Sequence, residues 1–460
     1  MCAQAVCAKH AARTTSHILA QLACLGNHTV TGLLNTCGRQ FQDWSADYRL
    51  YARSRIEPEA VFEPVRRWLC EQQGPIVTAL DDTRLRKTGR KTHGVKYMRD
   101  PMGPPFRANL VRAQRFLQTA MACKGPNGQA RMIPVDWMHA PLPQKPNTNA
   151  PQKQWDQYHA QQKAARISEV GVRRIQHMRQ WLNTQGMQSR TLWTVADGAF
   201  TNGTVLKKLP GNTTFVGRIR ADAKLYHLPQ DQPKAQGRRR VYGNQAPTPE
   251  ELRLDQDVPW KHAEAFFGGK RRTLRVKQLK PLRWRTAGKN HNLQLVVIAP
   301  TPYRLRKNGK LLYRKPAYLI CTDPNADLTD IIQHYLWRWD IEVNFRDEKT
   351  LLGVGDAQVR TPAAVQNVTA CAVAAYAMLL TAAAQAQQHN APPNHLPTPK
   401  WQRNKSYRAT TTNLIQNLRY ELWARSIHFS GFAIQQHLHT KSKKTMPQLQ
   451  SALFYAQRYS

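Results

Sequence analysis

Hydrophobic residues three and four positions apart predict helices in the first part of the chain. The pattern runs through HILAQLACLG from His17, HTVTGLLNTCGRQF from His28 and EAVFEPVRRWLCEQ from Glu59. We therefore expect residues 1–74 to form a helical N-terminal domain. The Leu-Gly turn before Asn27 fits a helix-turn-helix that contacts DNA, and it fits a plain helical bundle about as well.

After Gly74 the hydrophobic residues recur at every second position or in continuous runs, which is typical of strands. The predicted strands are PIVTALDD from Pro75, AQRFLQTAMAC from Ala113, ARMIPVDWM from Ala130 and TLWTVADG from Thr191. A Pro- and Gln-rich loop from 140 and a helix from Ala164 to Gly186 separate the last two strands. The order strand, strand, strand, helix, strand predicts a mixed α/β core that begins with residues 75–202.

The rest of the chain alternates again between strand and helix patterns. Short strands separated by polar loops predict a β-rich insertion at residues 203–319. Residues 320–390 are expected to complete the core, and residues 391–460 to form a basic linker and a helical C-terminal region. The apolar stretch 368–384 is shorter than the ~20 residues that a membrane span requires, so we expect a buried helix and no membrane.

The charge balance adds a candidate partner. The chain has 68 Lys and Arg against 29 Asp and Glu, a formal net charge of +39, which favours a polyanionic partner such as nucleic acid. A ribosomal type of protein or a membrane-surface protein remains possible on composition alone. Cysteines without a CxxC pair, and an N-terminus without a secretory apolar run, predict reduced thiols in the cytoplasm or nucleoid.

Positive charge is concentrated within the predicted insertion. Residues 270–315 contain fifteen Lys and Arg and no acid. Arg275 and Lys277 alternate with Leu274 and Val276, which predicts one cationic face on a half-exposed strand. With Arg283 and Arg285 they are our candidates for nucleic-acid contact.

A second candidate site lies in YLWRWDIEVNFRDEKTLLG, which begins at Tyr335. Its length and its lack of internal Pro or Gly predict a helix. At about 100° per residue, one stripe of that helix about 80° wide carries five polar side chains: Tyr335, Arg338, Glu342, Arg346 and Lys349. One carboxylate among three cations is either a structural ion-pair ladder or a site for a phosphate and a metal ion.

Acidic residues near two strands support the second alternative. The predicted strand PIVTALDDT ends in Asp81 and Asp82, and the predicted strand TLWTVADG ends in Asp197, in a chain with few acids. Each alone would fit ordinary turn chemistry. Together with Glu342 they supply the oxygen ligands that Mg²⁺ or Mn²⁺ requires.

These residues also carry a family resemblance. Tyr335, Arg338, Glu342 and Lys349 match the spacing Y-x2-R-x3-E-x6-K at every position. In this the chain resembles the DDE transposases of bacterial insertion sequences, within the branch that has that signature. LDDT resembles the first acidic motif of the family and ADGAFTNG the second, and the resemblance spans roughly residues 25 to 385.

The resemblance implies an α/β fold with a ribonuclease-H-like catalytic core, interrupted by the β-rich insertion and flanked by helical N- and C-terminal regions. It implies that Asp81, Asp197 and Glu342 bind the metal, with Asp82 as the alternative first acid. Asp81 is preferred because the family tends to show D-x-T, which places Asp81 and Thr83 on one strand face. Tyr335, Arg338 and Lys349 are similar to residues that hold phosphates at the transposon end, and Arg346 is a weaker candidate for the same role.

The implied activity is that of a DNA transposase, which cuts and joins DNA strands by phosphoryl transfer with two Mg²⁺ or Mn²⁺ ions. The implied partners are double-stranded DNA, as terminal inverted repeats and as target, and a second protomer when the two ends are synapsed. One alternative is a transposase-derived DNA-binding protein without cleavage activity. Another is a basic RNA-associated protein, which would not need the acidic residues.

Overall fold

The computed structural model describes residues 8–429, apart from 54, 101–102, 104–108, 231–239, 289–290, 307 and 389–407. Its helices are α1 (Ala8–Ala23), α2 (Val30–Thr36), α3 (Ser45–Ala52), α4 (Glu63–Cys70), α5 (Gln152–Ala164), α6 (Ile167–Thr184), α7 (Gly203–Leu206), α8 (Pro249–Leu254), α9 (Leu328–Trp337), α10 (Asp340–Thr350), α11 (Pro362–Gln388) and α12 (Thr411–Phe429). Its strands are β1 (Ile76–Arg86), β2 (Lys96–Arg99), β3 (Leu110–Lys124), β4 (Ala130–His139), β5 (Leu192–Ala196), β6 (Thr213–Arg218), β7 (Tyr226–His227), β8 (Lys261–Phe267), β9 (Lys270–Arg283), β10 (Leu293–Ile298), β11 (Pro302–Tyr303), β12 (Leu312–Tyr313) and β13 (Ala317–Cys321).

One mixed sheet of 11 strands organises the fold. Its order is β2-β3-β1-β5-β6-β13-β10-β9-β7, with β4 also paired to β3 and β8 to β9. The first strands form an antiparallel meander, because β3 pairs antiparallel with both β1 and β4. β1, β5 and β6 then run parallel. This mixed α/β arrangement is consistent with the ribonuclease-H-like fold that the resemblance implies.

Alternation along β1 sends its side chains into two separate hydrophobic layers. Val77 and Ala79 pack in one cluster with residues of α10 and α11, including Phe345. Leu80 faces the other side and packs in a second cluster with Ile175 of α6. The sheet therefore lies between two helical layers, and neighbouring residues of β1 face different surroundings.

The residues predicted as an insertion continue the central sheet. β6 hydrogen-bonds in parallel to β5, and β13, β10 and β9 extend the same sheet through antiparallel pairs. Only β11 and β12, among the described strands, form a separate two-stranded sheet. The region is rich in strands as expected, but the sheet crosses the predicted boundary at residue 203. The domain boundaries themselves stay predictions, and most of residues 391–460 lie outside the described part of the chain.

The segment from Tyr335 forms two helices, where the sequence predicts one. α9 ends at Trp337 and α10 begins at Asp340, and the backbone N–H groups at the junction donate to carbonyls three residues earlier instead of four. Different parts of the fold hold the two sides of the junction. The Trp337 indole donates to the Gly128 carbonyl at 3.0 Å, and Asp340 accepts from the Arg408 guanidinium at 2.7 Å. Tertiary contacts thus interrupt a helix that contains neither Pro nor Gly.

The apolar stretch 368–384 lies within α11, a helix of 27 residues. By length and composition alone, α11 could cross a membrane, so the expectation that it is too short is wrong. However, 78% of its most apolar window is buried inside the fold, as the sequence analysis expected of this stretch. A buried core helix passes the same test, so α11 is weak support for a membrane span.

Candidate active site

Asp81 and Asp197 come from neighbouring parallel strands. β1 pairs with β5 in a register that places Leu80 opposite Ala196. Asp81 and Asp197 directly follow these two residues, so they meet at the edge where β5 ends. β1 itself continues to Arg86, which corrects the expectation that the two acids end the strand.

Arg338 connects Asp81 to the third candidate acid. Its guanidinium donates through Nη1 to Asp81 Oδ2 and through Nη2 to Glu342 Oε1, both at 3.2 Å. The Arg338 side chain is 11% exposed, that of Asp81 16% and that of Glu342 39%. The helix junction and the first parallel strand of the sheet therefore meet at a buried cation between two carboxylates.

The electrostatic surroundings of Asp81 are those of crowded acids. Burial, and then the nearby charge of Asp197, raise the pKa of the Asp81 carboxyl to about 7, although Arg338 acts in the opposite direction. Asp197 is held in place by its neighbours, since its Oδ1 accepts from the Ala199 backbone N–H at 2.9 Å. An additional positive charge at this point would relieve the repulsion between the two acids.

Asp82 has different neighbours from Asp81. By strand alternation it shares the sheet face of Leu80, which packs on the α6 side. Burial raises the pKa of its carboxyl, while Arg84 and Arg115 lower it. Asp82 also donates its backbone N–H to Asp81 Oδ1 at 2.8 Å. The structure therefore brings Asp81, but not Asp82, into contact with Arg338.

The other residues of the predicted stripe do not all gather at this point. Tyr335 is half-buried, and its ring lies 5.7 Å from the Arg338 guanidinium, within range of a cation–π interaction. Lys349 is exposed and lies over the Phe345 ring at 5.8 Å. Arg346 is exposed and pairs with the adjacent Asp347 at 2.9 Å. Of the four cations and hydroxyl donors in the stripe, only Tyr335 and Arg338 therefore lie beside Asp81 and Glu342.

Carboxylates are the groups in this site that could hold a metal. Among the described residues, no three His, Cys, Asp or Glu side chains are gathered closely enough to form a metal centre. Asp81, Asp197 and Glu342 nevertheless offer only hard oxygen ligands, the type that Mg²⁺ and Mn²⁺ prefer. The Arg338 guanidinium already places a positive charge between two of them. The donor set therefore fits such a cation.

The predicted cationic face needs one correction. Lys277 is 1% exposed, and its ammonium donates to the backbone carbonyls of Leu252, Arg253 and Asp255. It also lies 4.7 Å from the Trp260 ring. Lys277 is therefore a structural residue within the fold and cannot reach DNA here.

The other three cations of that prediction remain accessible to different degrees. Arg275 is exposed and lies 5.5 Å from the Trp260 ring. Arg283 is half-buried and donates to the Val241 carbonyl at 2.7 Å. Arg285 is exposed, and it lines the cleft described next.

A cationic cleft of about 1150 Å³ opens beside Asp197, and the sequence analysis missed most of it. Gly198 forms one edge, and Trp284 and Tyr226 contribute aromatic rings. Two acids, Asp222 and Glu250, line it together with five positively charged residues: Arg218, Arg220, Lys224, Arg285 and Lys315. A signal was present in the sequence, since VGRIRADAK places three cations directly after the apolar part of β6.

Glu348 is a second functional-looking residue that the sequence analysis passed over. It is 1% exposed, and neither of its carboxyl oxygens has a hydrogen bond of normal geometry among the described residues. Gln118 lies beside it, opposite Asp81 in the β1–β3 pair. Burial raises the pKa of Glu348 to about 8. We infer that Glu348 is protonated at neutral pH and that its buried side chain packs α10 against the sheet.

Glu348→Gln is expected to remove part of the pH dependence of stability. Because the pKa of Glu348 is raised in the folded protein, its stabilising contribution is complete below about pH 4.5 and is lost as pH rises through about 8. The free energy of unfolding of the wild type should fall relative to that of the variant by up to about 1.4 kcal/mol per pH unit in that window. Urea midpoints at pH 5, 7 and 9 measure this difference. Exposed Glu57→Gln is the control, and parallel curves for wild type and Glu348→Gln would contradict the assignment.

The comparison with protein families identifies the chain. Residues 5–291 match the family of DDE superfamily endonucleases, and because the match covers more than half of the chain, the protein belongs to that family. A comparison with curated proteins found no match. The family is one of transposase-like nucleases that act on DNA with divalent metal ions. The matched residues include Asp81 and Asp197 but end before α9, so the helix junction and Glu342 lie beyond them.

Proposed function

We propose that the protein is an insertion-sequence transposase, which cuts and joins DNA ends by divalent-metal-dependent phosphoryl transfer. The observation that carries the proposal is the meeting of Asp81, Asp197 and Arg338, with Glu342 bound to the same guanidinium. Acids from two parallel strands and one helix lie around that guanidinium, in a chain with an excess of positive charge. Such a convergence serves no evident purpose in a protein that only binds DNA, because carboxylates repel phosphates.

The proposed roles follow from the chemistry of each side chain. Asp81, Asp197 and Glu342 would hold Mg²⁺ or Mn²⁺, which supplies the charge that stabilises the leaving 3′ oxygen. Arg338 offers two parallel N–H donors, the arrangement that binds a phosphate by two hydrogen bonds. Tyr335 lies beside it and adds a hydroxyl donor. Lys349, an exposed point charge farther along α10, would contact the DNA backbone outside the immediate site.

The cationic cleft beside Asp197 is the proposed path of the DNA. Its arginines and lysines would neutralise backbone phosphates, and Trp284 and Tyr226 offer flat surfaces for bases. Arg275, on the neighbouring strand β9, would extend this surface. Terminal inverted repeats and target DNA are the proposed substrates, and two protomers would hold the two ends together. A location in the cytoplasm or nucleoid is part of the same proposal.

Glu342→Gln tests the proposal directly. The amide keeps the shape of the side chain but removes a charge that holds the metal, so strand cleavage should fall by about a thousandfold or more while DNA binding is kept. The assay is Mg²⁺-dependent nicking of duplexes made from the DNA that flanks the coding region. Exposed Glu71→Gln is the matched control and should cleave like the wild type.

Two outcomes of that assay would contradict the proposal or its assignment of the metal ligands. Tight DNA binding without cleavage by the wild type, in Mg²⁺ and in Mn²⁺, would favour a transposase-derived DNA-binding protein. Equal nicking by wild type and Glu342→Gln would mean that another group holds the metal.

A further inference from the structure

The contact between Arg338 and the two acids has a chemical consequence for metal binding. Arg338 is buried at the helix junction, where its two terminal nitrogens contact Asp81 Oδ2 and Glu342 Oε1. These carboxylates are two of the three that would hold the metal. The guanidinium and a divalent ion therefore require the same negative charges.

The Arg338 guanidinium has other possible partners besides the two acids. Its Nε has no hydrogen-bond partner among the described residues, so this buried N–H can still donate to a further acceptor. The Tyr335 ring lies 5.7 Å from the guanidinium and can stabilise the cation by a cation–π interaction when the acids do not. A DNA phosphate would offer the same two-point geometry as a pair of carboxylate oxygens.

We infer that Arg338 is an internal counter-ion that competes with divalent metal ions for Asp81 and Glu342 while no DNA is bound. The inference rests on the proposed function and deepens it. In the DNA-free protein the guanidinium neutralises the acids and weakens metal binding, because the metal must first displace it. A phosphate that captures Arg338 frees the acids, so DNA binding and metal loading are coupled, and each strengthens the other. Arg338 is then a positioning residue that restricts loading of the nuclease to the DNA complex.

The test measures Mn²⁺ binding to the DNA-free protein, by the electron paramagnetic resonance signal of the unbound ion. Arg338→Gln should bind Mn²⁺ about tenfold more tightly than the wild type. Arg338→Lys should lie between them, since one ammonium cannot bridge both acids in the same way. The gain should disappear when Glu342→Gln is added to Arg338→Gln. Thermal unfolding with and without Mn²⁺ verifies that each variant is folded and measures the same difference as a larger rise in Tm.

Arg218→Gln is the matched control for long-range electrostatics. Arg218 acts on Tyr335 through its charge but forms no ion pair with these acids in the described part of the chain. Its loss removes the same charge near the site without freeing a carboxylate. An equal gain in Arg218→Gln and Arg338→Gln would overturn the inference, because general repulsion of the ion would then explain both.

The results also separate this inference from the proposed function. Unchanged Mn²⁺ affinity in Arg338→Gln, with normal loss of cleavage in Glu342→Gln, would refute the competition and leave the transposase activity standing. If neither the wild type nor Arg338→Gln bound Mn²⁺ and the wild type did not cleave DNA, both proposals would fail.

Discussion

Asp81→Asn is expected to lower DNA cleavage by about a thousandfold or more, while Asp82→Asn keeps most of the activity. The two residues are adjacent in β1, and the sequence offers both as the first acid of the site. Only strand alternation and the contacts of each carboxyl distinguish them.

The geometry favours Asp81 for two independent reasons. It shares the sheet face of Ala79, which packs against α10, and its Oδ2 accepts from Arg338 at 3.2 Å. Its pKa is raised to about 7 by burial and then by the charge of Asp197, so Asp81 is electrostatically coupled to the acid at the end of β5. Asp82 faces the α6 side, where Arg84 and Arg115 balance its charge. Losing Asp82 therefore removes a neighbour of the site and leaves its three acids intact.

The measurement is single-turnover cleavage of a flanking-DNA duplex in Mg²⁺ and again in Mn²⁺. Both variants should bind that duplex about as tightly as the wild type, because an amide replaces a carboxylate in each. If Asp82→Asn lost cleavage and Asp81→Asn kept it, the assignment of the first acid would be reversed. Equal loss in both would mean that the pair acts together.

Strong periodicity in the sequence predicts the core of this fold well. The strands around Asp81 and Asp197 have uninterrupted apolar runs, and the structure places β1, β3, β4 and β5 in these segments. Three separate motifs also predict which acids are candidates, although the parallel pairing of β1 with β5 becomes visible only in three dimensions. Local sequence thus predicts the ligand types, and strand order decides which of them meet.

Features that depend on distant contacts could not be predicted in the same way. Lys277 continues an alternating pattern that predicts exposure, yet three carbonyls from residues 252–255 surround its ammonium. The helix junction at Arg338 contains no Pro or Gly, and contacts from β3–β4 and Arg408 hold it. Glu348 looks like one more charge on a polar helix, until Gln118 and the sheet cover it. In each case tertiary packing overrides the local pattern.

Lys277→Met is expected to lower the free energy of unfolding by about 2–4 kcal/mol. Methionine keeps the length of the buried stem but removes the ammonium that satisfies three backbone carbonyls beside Trp260. Arg275→Ala, two residues earlier on β9, should change stability by less than about 0.5 kcal/mol because Arg275 is exposed. Urea unfolding of both variants measures the contrast.

DNA binding should show the opposite contrast between these two residues. Arg275→Ala should weaken binding to all DNA sequences and flatten the slope of log K against log salt by about 0.9, the value for one lost phosphate contact. Lys277→Met should leave both the slope and the affinity per folded molecule unchanged, since its ammonium does not reach the surface. A flattened slope in folded Lys277→Met would mean that the strand opens when DNA binds and exposes the lysine. In that case the number of Lys and Arg residues in 270–315 would predict the DNA contacts better than the burial of each side chain does.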